Sequence, residues 1–416
     1  METHDESPLR LLVVAADTYP PFRVDVVVLF GEELAGRGHH IDWILQSEQA
    51  CAEPYVTSWG GGRVWVGATD PGTSVLRRLH KHWLGIRNDL KLFGLLRHGN
   101  YDLVQVKDKF IAALFAMIAA RVYRKRFVYW LSYPFPEASI IASKDGTARY
   151  PWLYRIRGEF FRWLLYRLLL PAATHVFVQS EQMRRDVAAE GVPLDKMTAV
   201  PMGIRRTSIS EEAPGGERQE GRAVTHRVLY LGTLDKTRRL DFLIRVFARV
   251  RTQVGDAQLY LVGRGEDPTD EAILVEEARR LGVLDDVVFL GQRPQAEALQ
   301  YVREADVCVS PFYPMPVLNS TSPTKLVEYM AMGKAVVAND HPEQRLLIAE
   351  SGGGLCVPYD EEAFAAAVVR LLRAPLQARE MGLKGRAYVL QHRAYGRIAD
   401  RVERQFLDIV AQGGGS

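Results

Sequence analysis

Short apolar runs alternate with longer stretches whose apolar positions fall three and four residues apart. Leu9–Ala15 (LRLLVVA) is a β-rich run that ends at the turn Tyr19-Pro20-Pro21-Phe22. A near-continuous apolar run of this length reads as a parallel strand covered on both faces. A helix is predicted over Asp25–Arg37, with Gly38 as its C-cap. Further strands are predicted at Ile41–Leu45, Val64–Val66, Leu103–Val106, Phe127–Trp130 and His175–Val178. Helical stretches separate them, among them Ile111–Val122 and Pro151–Leu170.

The alternation breaks at Ile209–Thr225, which is polar, rich in Gly and without apolar periodicity. A second series then begins with strands at Val228–Leu231, Gln258–Val262, Val287–Leu290, Val307–Val309 and Ala335–Ala338. Its predicted helices are Leu240–Val254, Ile273–Leu281, Lys325–Met332 and Glu361–Leu372, and Arg393–Gln412 is a last helix with no strand after it. The expected fold class is α/β, with two Rossmann-like, doubly wound parallel-sheet domains facing across a cleft. Their expected bounds are 1–206 and 226–392, with a linker at 207–225 and a helix at 393–412 returning to the first domain. Open sheets of this kind bind ligands at the C-terminal ends of their strands, so two facing halves suit two substrates.

At 416 residues the chain has room for two or three domains. With 47% hydrophobic and 25% charged residues, it is neither mostly disordered nor a coiled coil nor a fibre. A net charge of +3, from 53 basic and 50 acidic residues, does not call for nucleic acid, and no such partner is expected. Cys51, Cys308 and Cys356 are far apart, which argues against a disulfide framework and fits a reducing compartment. The first residues, METHDESPLR, are polar, and the closing Gly-Gly-Gly-Ser reads as an appended tail. The longest apolar run, Phe110–Ala120, is about half the ~20 residues of a membrane span. A cytoplasmic protein is expected, soluble or peripheral on a membrane.

Val307–Ala338 (VCVSPFYPMPVLNSTSPTKLVEYMAMGKAVVA) carries the densest chemistry. A strand feeds a loop of Pro, Ser, Thr and Asn, and the loop feeds a helix entered near Pro323. Free N–H groups at such an entry bind anions. Lys325 adds a cation, and Glu328 one turn later is placed to accept hydrogen bonds from vicinal hydroxyls, as on a ribose. The plainer alternative is helix capping with a solvated Glu328. Gly232–Arg239 (GTLDKTRR) puts Lys236, Arg238 and Arg239 after a strand, where they suit a pyrophosphate or form a solvated turn. Gly263-Arg264-Gly265-Glu266 also follows a strand but lacks the third Gly of a dinucleotide fingerprint, since residue 268 is Pro.

Together these loops resemble the family 4 glycosyltransferases of the GT-B fold. The residues that carry the resemblance are YLGTLDKTRRLDFLI, LYLVGRGE, VVFLGQRP, ADVCVSPF, SPTKLVEYMAMGKAVVA and SGGGLCVPYD, in the family's order. VFVQSEQMRRDV with VPMGI, and DTYPPFRVDVVVLFGEELAGRGHHIDWI, match the end and start of the family's first domain. The resemblance implies retaining transfer of a sugar from a nucleoside diphosphate-sugar, with no cofactor and no catalytic metal. It implies that Glu328 binds the ribose and that the amides of Thr324, Lys325 and Leu326 hold the distal phosphate. Arg238 or Arg239 takes the place of the family's phosphate-binding lysine. Gly232 lets the backbone approach the donor, and Arg264 with Gly291–Arg293 lies where the family holds the base.

Two positions depart from the family. Ser320, beside Asn319, stands where a glutamate usually contacts the donor sugar, and Ser132 stands near the usual histidine. Glu137 is the carboxylate nearest Ser132 in sequence. Arg23 and Asp25, on the first loop, are candidates for contact with donor phosphate or acceptor, with helix capping by Asp25 as the alternative.

On the acceptor side, residues 77–126 hold nine more basic than acidic residues, interleaved with Trp83, Leu84, Phe93 and Leu95. Tyr150–Leu170 mixes Arg155, Arg157, Arg162 and Arg167 with Trp152, Phe160, Phe161 and Trp163. Basic residues beside aromatics suit an anionic membrane surface and a glycan or lipid-linked acceptor; aromatic residues in a core are the alternative. His39-His40 and His80-x-His82 have no acid or cysteine at ligand spacing and read as surface residues. Two other readings compete with glycosyl transfer. One is a non-catalytic nucleotide- or sugar-binding protein on the same fold. The other is an NAD-dependent oxidoreductase, which the Gly-free turn Asp17–Arg23 disfavours.

Overall fold

The run that begins at Leu9 becomes β1 (Arg10–Tyr19) in an eight-stranded sheet. The other strands are β2 (His40–Ser47), β3 (Tyr55–Trp59), β4 (Gly62–Gly67), β5 (Leu103–Lys107), β6 (Arg126–Leu131), β7 (His175–Val178) and β8 (Met197–Ala199). Their order across the sheet is β3-β4-β2-β1-β5-β6-β7-β8. In parallel register, Leu12 lies opposite Val104 and Val14 opposite Val106. Successive side chains point to opposite faces of a strand. Leu12, Val14, Val104 and Val106 therefore join one core with the alanines of helix Phe110–Val122, while Leu11, Val13 and Leu103 join another. Both faces are covered, which is why the run is apolar at nearly every position.

The second of these cores is closed by helix Asp25–Leu34 and by the last helix, Tyr395–Ala411. Ile398, Val402, Phe406 and Ile409 recur at helical spacing and are all buried. Arg37 to Asp400 and His39 to Glu403, each at 2.7 Å, hold the helix along its polar edge. His39 is expected at the surface from its sequence. It is buried, with Leu9 N donating to its Nδ1 at 3.0 Å, because a chain segment remote in sequence covers it.

The computed structural model describes residues 8–70, 72, 74–145, 148, 150–206, 226–265 and 267–412. The expected linker at 207–225 lies outside the described residues, as does Glu266. The chain divides into two compact units, Met1–Pro201 with Tyr395–Ser416, and Met202–Ala394.

The second unit holds β9 (His226–Leu231), β10 (Ala257–Val262), β11 (Val287–Gly291), β12 (Val307–Ser310), β13 (Val336–Asn339) and β14 (Gly354–Val357). They form an all-parallel sheet in the order β11-β10-β9-β12-β13-β14, with an apolar core on each face. The first sheet is not wholly parallel: β3 runs antiparallel to β4 through Gly60 and Gly61, both at positive φ. That is the backbone a two-residue hairpin requires. In both sheets the strand order reverses about the first strand, between β2 and β5 around β1 and between β10 and β12 around β9. Crevices for ligands open at such switch points. Among the described residues no helix is long and apolar enough to cross a membrane.

Candidate functional site

At the β9 switch point two glycines bring two loops together. Gly232, after β9, has φ +148° and donates its N–H to Val262 O at 2.9 Å. Gly263, after β10, has φ +143°, and a Cβ there would lie 1.9 Å from Gly232 O. No side chain fits between these backbones, and both conformations favour glycine.

The open side of Gly232 faces Lys325, whose Nζ would stand 2.9 Å from a Cβ at that position. Lys325 is the second residue of helix Thr324–Ala331, whose first turn has no side-chain cap. Its ammonium donates to Tyr230 Oη at 2.6 Å and sits 3.9 Å from the centroid of the Tyr230 ring. Burial, and next the charge of Arg238, push the Lys325 pKa well below its usual value. Arg238 lies over the Phe312 ring at 5.8 Å and pairs with Asp235 at 3.7 Å. Arg239 lies over Tyr313 at 5.4 Å and pairs with Asp241 at 3.6 Å. Of the two arginines, Arg238 is the one whose charge reaches Lys325.

Glu328 is half-buried one turn along, and Gln295 Nε2 donates to its Oε1 at 3.2 Å. Burial pushes the Glu328 carboxyl up to about 7, against the opposing pull of Gln295 and Lys325. Gln295, at the start of helix Gln295–Glu304, had no place in the sequence reading. Leu326 is fully buried, and its side chain packs in the core of the second unit. Asn319 ends the single-turn helix Pro316–Asn319, and Ser320 is buried with its Oγ donating to Pro316 O at 3.4 Å. Arg293 is tied to Leu290 O at 2.9 Å and to Glu297 at 3.3 Å. The Arg264 carbonyl accepts from Leu234 N at 3.2 Å, which fixes that loop to the one after β9.

Beneath the Phe312–Pro323 loop lies a buried polar support. Asn339 Oδ1 accepts from Phe312 N at 2.6 Å, and its Nδ2 donates to Phe312 O at 2.9 Å. His341 Nε2 meets Leu318 O at 2.8 Å, and burial lowers the His341 pKa to about 4, so the ring is neutral and donates.

The first unit has its own polar centre, at the β1 switch point. Lys107, at the end of β5, is buried and pairs with Asp17 at 2.9 Å, Asp25 at 3.5 Å and Asp108 at 3.8 Å. Arg23 reaches Asp25 at 3.2 Å and Asp17 at 3.6 Å. Asp108, at φ +58°, accepts from Ser132 N at 2.9 Å and also from Ser132 Oγ. Burial raises the Asp108 carboxyl despite Lys107. Burial acts on Asp25 the same way, but Lys107 and Arg23 outweigh it and hold that carboxyl low. Asp25 therefore serves as an ion-pair partner in the first turn of its helix, and Val24, not Asp25, is the N-cap. Glu137 does not join this group; its partners are Tyr166 and, at 3.9 Å, Arg162.

Residues 225–374 match the family described as Glycosyl transferases group 1, and residues 25–203 match the Glycosyl transferase 4-like domain. The chain is similar to the phosphatidyl-myo-inositol mannosyltransferase of Mycolicibacterium smegmatis, 34% identical over 178 residues, 42% of each chain. It is also similar to the amylovoran biosynthesis glycosyltransferase AmsK of Erwinia amylovora, 27% identical over 237 residues, 54% of this chain and 55% of that one. These matches thus span about half or less of the curated relatives' own length. In fold it resembles the sucrose-phosphate synthase of Thermosynechococcus elongatus, with TM-score 0.76, 22% identity, and coverage of 97% and 100%.

Proposed function

The chain belongs to the family 4 glycosyltransferases, and from that premise we propose that it moves a hexosyl group from a nucleoside diphosphate-sugar to a hydroxyl of a glycan or lipid-linked acceptor. The anomeric configuration is retained and no metal takes part. The setting is polysaccharide or glycolipid synthesis at the cytoplasmic side of a membrane. One observation carries this reading: Gly232, Arg238, Lys325 and Glu328 converge on the β9 switch point, around an uncapped helix start. Glu328 accepts the ribose hydroxyls, and the amides of Thr324, Lys325 and Leu326 hold the distal phosphate. Arg264 and Arg293 flank the base, while Asn319 and Ser320 face the sugar.

The bond from the anomeric carbon to the phosphate oxygen breaks, and the acceptor oxygen bonds to the same face of that carbon. The acceptor's proton passes to the leaving phosphate. Charge grows on the phosphate as the bond breaks, so fixed cations and amides stabilise the transition state more than the ground state. Arg238, Arg239 and Lys325 supply the cations. In the first unit, Ser132, held by Asp108, with Arg23 and Asp25 nearby, meets the acceptor.

The test is nucleotide release from UDP-, GDP-, ADP- and TDP-sugars with EDTA present and a Glu328→Ala control. Release from one donor, lost in the control, is expected. Tight nucleoside diphosphate binding without release, with acceptor extracts supplied, would favour a binding protein on this fold.

The raised Glu328 carboxyl gives a pH dependence. Ribose hydroxyls donate best to the ionised form, so binding favours loss of the proton and affinity rises with pH. Between pH 6 and 8 the affinity for the identified nucleotide-sugar should rise roughly tenfold and level off above a carboxyl pKa of about 7. The pyrophosphate diester does not titrate in this range. Calorimetry at both pH values checks it, and Glu328→Gln should flatten the dependence.

A further inference from the structure

Helix Pro151–Leu164 in the first unit wears its largest apolar side chains outward. Trp152 is 65% exposed, Trp163 57% exposed, and Leu153, Ile156 and Phe160 between them are exposed as well. At 3.6 residues per turn these five side chains fall within an arc of about 100°. Gly158, on the opposite side, is buried: a Cβ there would lie 2.7 Å from Ile140 Cγ1 and 2.9 Å from Pro136 O. Helix Phe135–Lys144 therefore clamps the helix at its glycine and leaves the aromatic arc pointing away from the core.

The charges beside the arc choose its occupant. Arg155 and Arg157 are exposed, one beyond each edge, and Arg157 stacks on Tyr154 at 5.2 Å. Arg162 is engaged by Glu190 and Glu137 and adds no free charge. Glu159 is the one exposed acid of this helix. A second helix of the same unit, Val75–Asp89, repeats the composition. Leu76 is 79% exposed and Trp83 58%, and Leu79 between them is exposed; Arg87 lies beside them, while Arg77, Arg78 and Lys81 are exposed elsewhere around the helix.

We propose that the Trp152–Trp163 face of helix Pro151–Leu164 docks on an anionic lipid bilayer. The helix carries charges at Arg155, Arg157, Glu159 and Arg162, and its Gly158 side is packed on the protein, so it lies in the interface plane and does not span. Tryptophans at both ends sit at headgroup depth, the aliphatic residues between them reach the acyl boundary, and the flanking arginines meet lipid phosphates. This deepens the lipid-linked acceptor of the proposed reaction, but docking needs neither donor nor turnover and stands or falls by its own measurement.

The test is co-sedimentation of the full chain with phosphatidylcholine vesicles and with vesicles of equal parts phosphatidylcholine and phosphatidylglycerol, without nucleotide. Binding to the mixed vesicles alone is expected, weakened by salt. Trp152→Glu with Trp163→Glu, both exposed and expected to keep the native circular dichroism, should bind at least tenfold more weakly. Arg155→Glu with Arg157→Glu should lose the preference for the anionic vesicles. Calorimetric binding of the nucleotide-sugar should be unchanged in both variants; absence of nucleotide release from the wild type would count against the transfer reaction alone. Equal binding to both vesicle types, or wild-type binding by the tryptophan variant, would overturn the proposal. So would self-association in the absence of vesicles that the tryptophan variant abolishes, because the face would then belong to a second copy.

Discussion

Replacing Lys325 with methionine is expected to slow sugar transfer by about 100- to 1,000-fold, the usual effect of removing one preorganised charge donor. Methionine keeps the length of the stem, so the loss reports the ammonium. That ammonium is held 2.6 Å from Tyr230 Oη in a setting where burial and Arg238 work against its charge. A diphosphate supplies the missing counter-charge, and the interaction strengthens as the leaving group gains charge. The loss should therefore fall mainly on kcat rather than KM. Tyr230→Phe keeps the ring under Lys325 and removes only the oxygen that orients it. Losing one hydrogen bond to a charged group is worth about 1.5–3 kcal/mol, so a loss of roughly tenfold or more is expected. Steady-state nucleotide release measures both. If Lys325→Met turned over at the wild-type rate, the phosphate charge would have to be met by Arg238 and the helix amides alone.

The residues of this site were legible because each is written locally. Gly232 and Gly263 follow apolar runs, and Lys325 and Glu328 follow a proline entry at helical spacing. Their partners were not. Tyr230 looks like one more apolar strand residue, and only the pairing of β9 with β12 brings its hydroxyl under a lysine 95 positions away. Gln295 reaches Glu328 across 33 positions, with no local pattern to announce it. The strands of both series were visible as apolar runs, since both faces of each sheet are covered.

One element that escaped is interrupted by glycine. Helix Pro375–His392, absent from the predicted elements, contains Gly382 and Gly385, and a Cβ at Gly382 would stand 2.0 Å from Gly333 O. There glycine permits close packing rather than ending the helix. β3 was missed for the opposite reason: it is an edge strand whose side chains are largely exposed, so its only signal was the glycine pair after Trp59. Asp108 and Lys107 were seen only as members of a charged surface stretch, because sequence does not tell a buried charge from a solvated one.

Lys107→Met should destabilise the first unit by about 3–5 kcal/mol near neutral pH, the penalty for leaving buried charge without its partner. Lys107 is in contact with Asp17, Asp25 and Asp108, and all four groups are buried, so its loss leaves Arg23 as the nearest counter-charge. The sign with pH distinguishes charge from packing. Without Lys107, burial holds the Asp108 carboxyl further above its ordinary range and less opposes the effect of burial on Asp25, so the folded variant binds more protons than the folded wild type. Stability relative to wild type then falls as pH rises through the carboxylate range and is recovered as pH drops. Urea unfolding at pH 5 and pH 8, followed by fluorescence of the buried Trp43 and Trp130, should show a larger deficit from wild type at pH 8. An equal deficit at both values would assign the loss to packing of the lysine stem. The charge outcome would mean that Lys107 holds together the ends of β1 and β5 and, through Asp108, the Ser132 turn where the proposed acceptor enters.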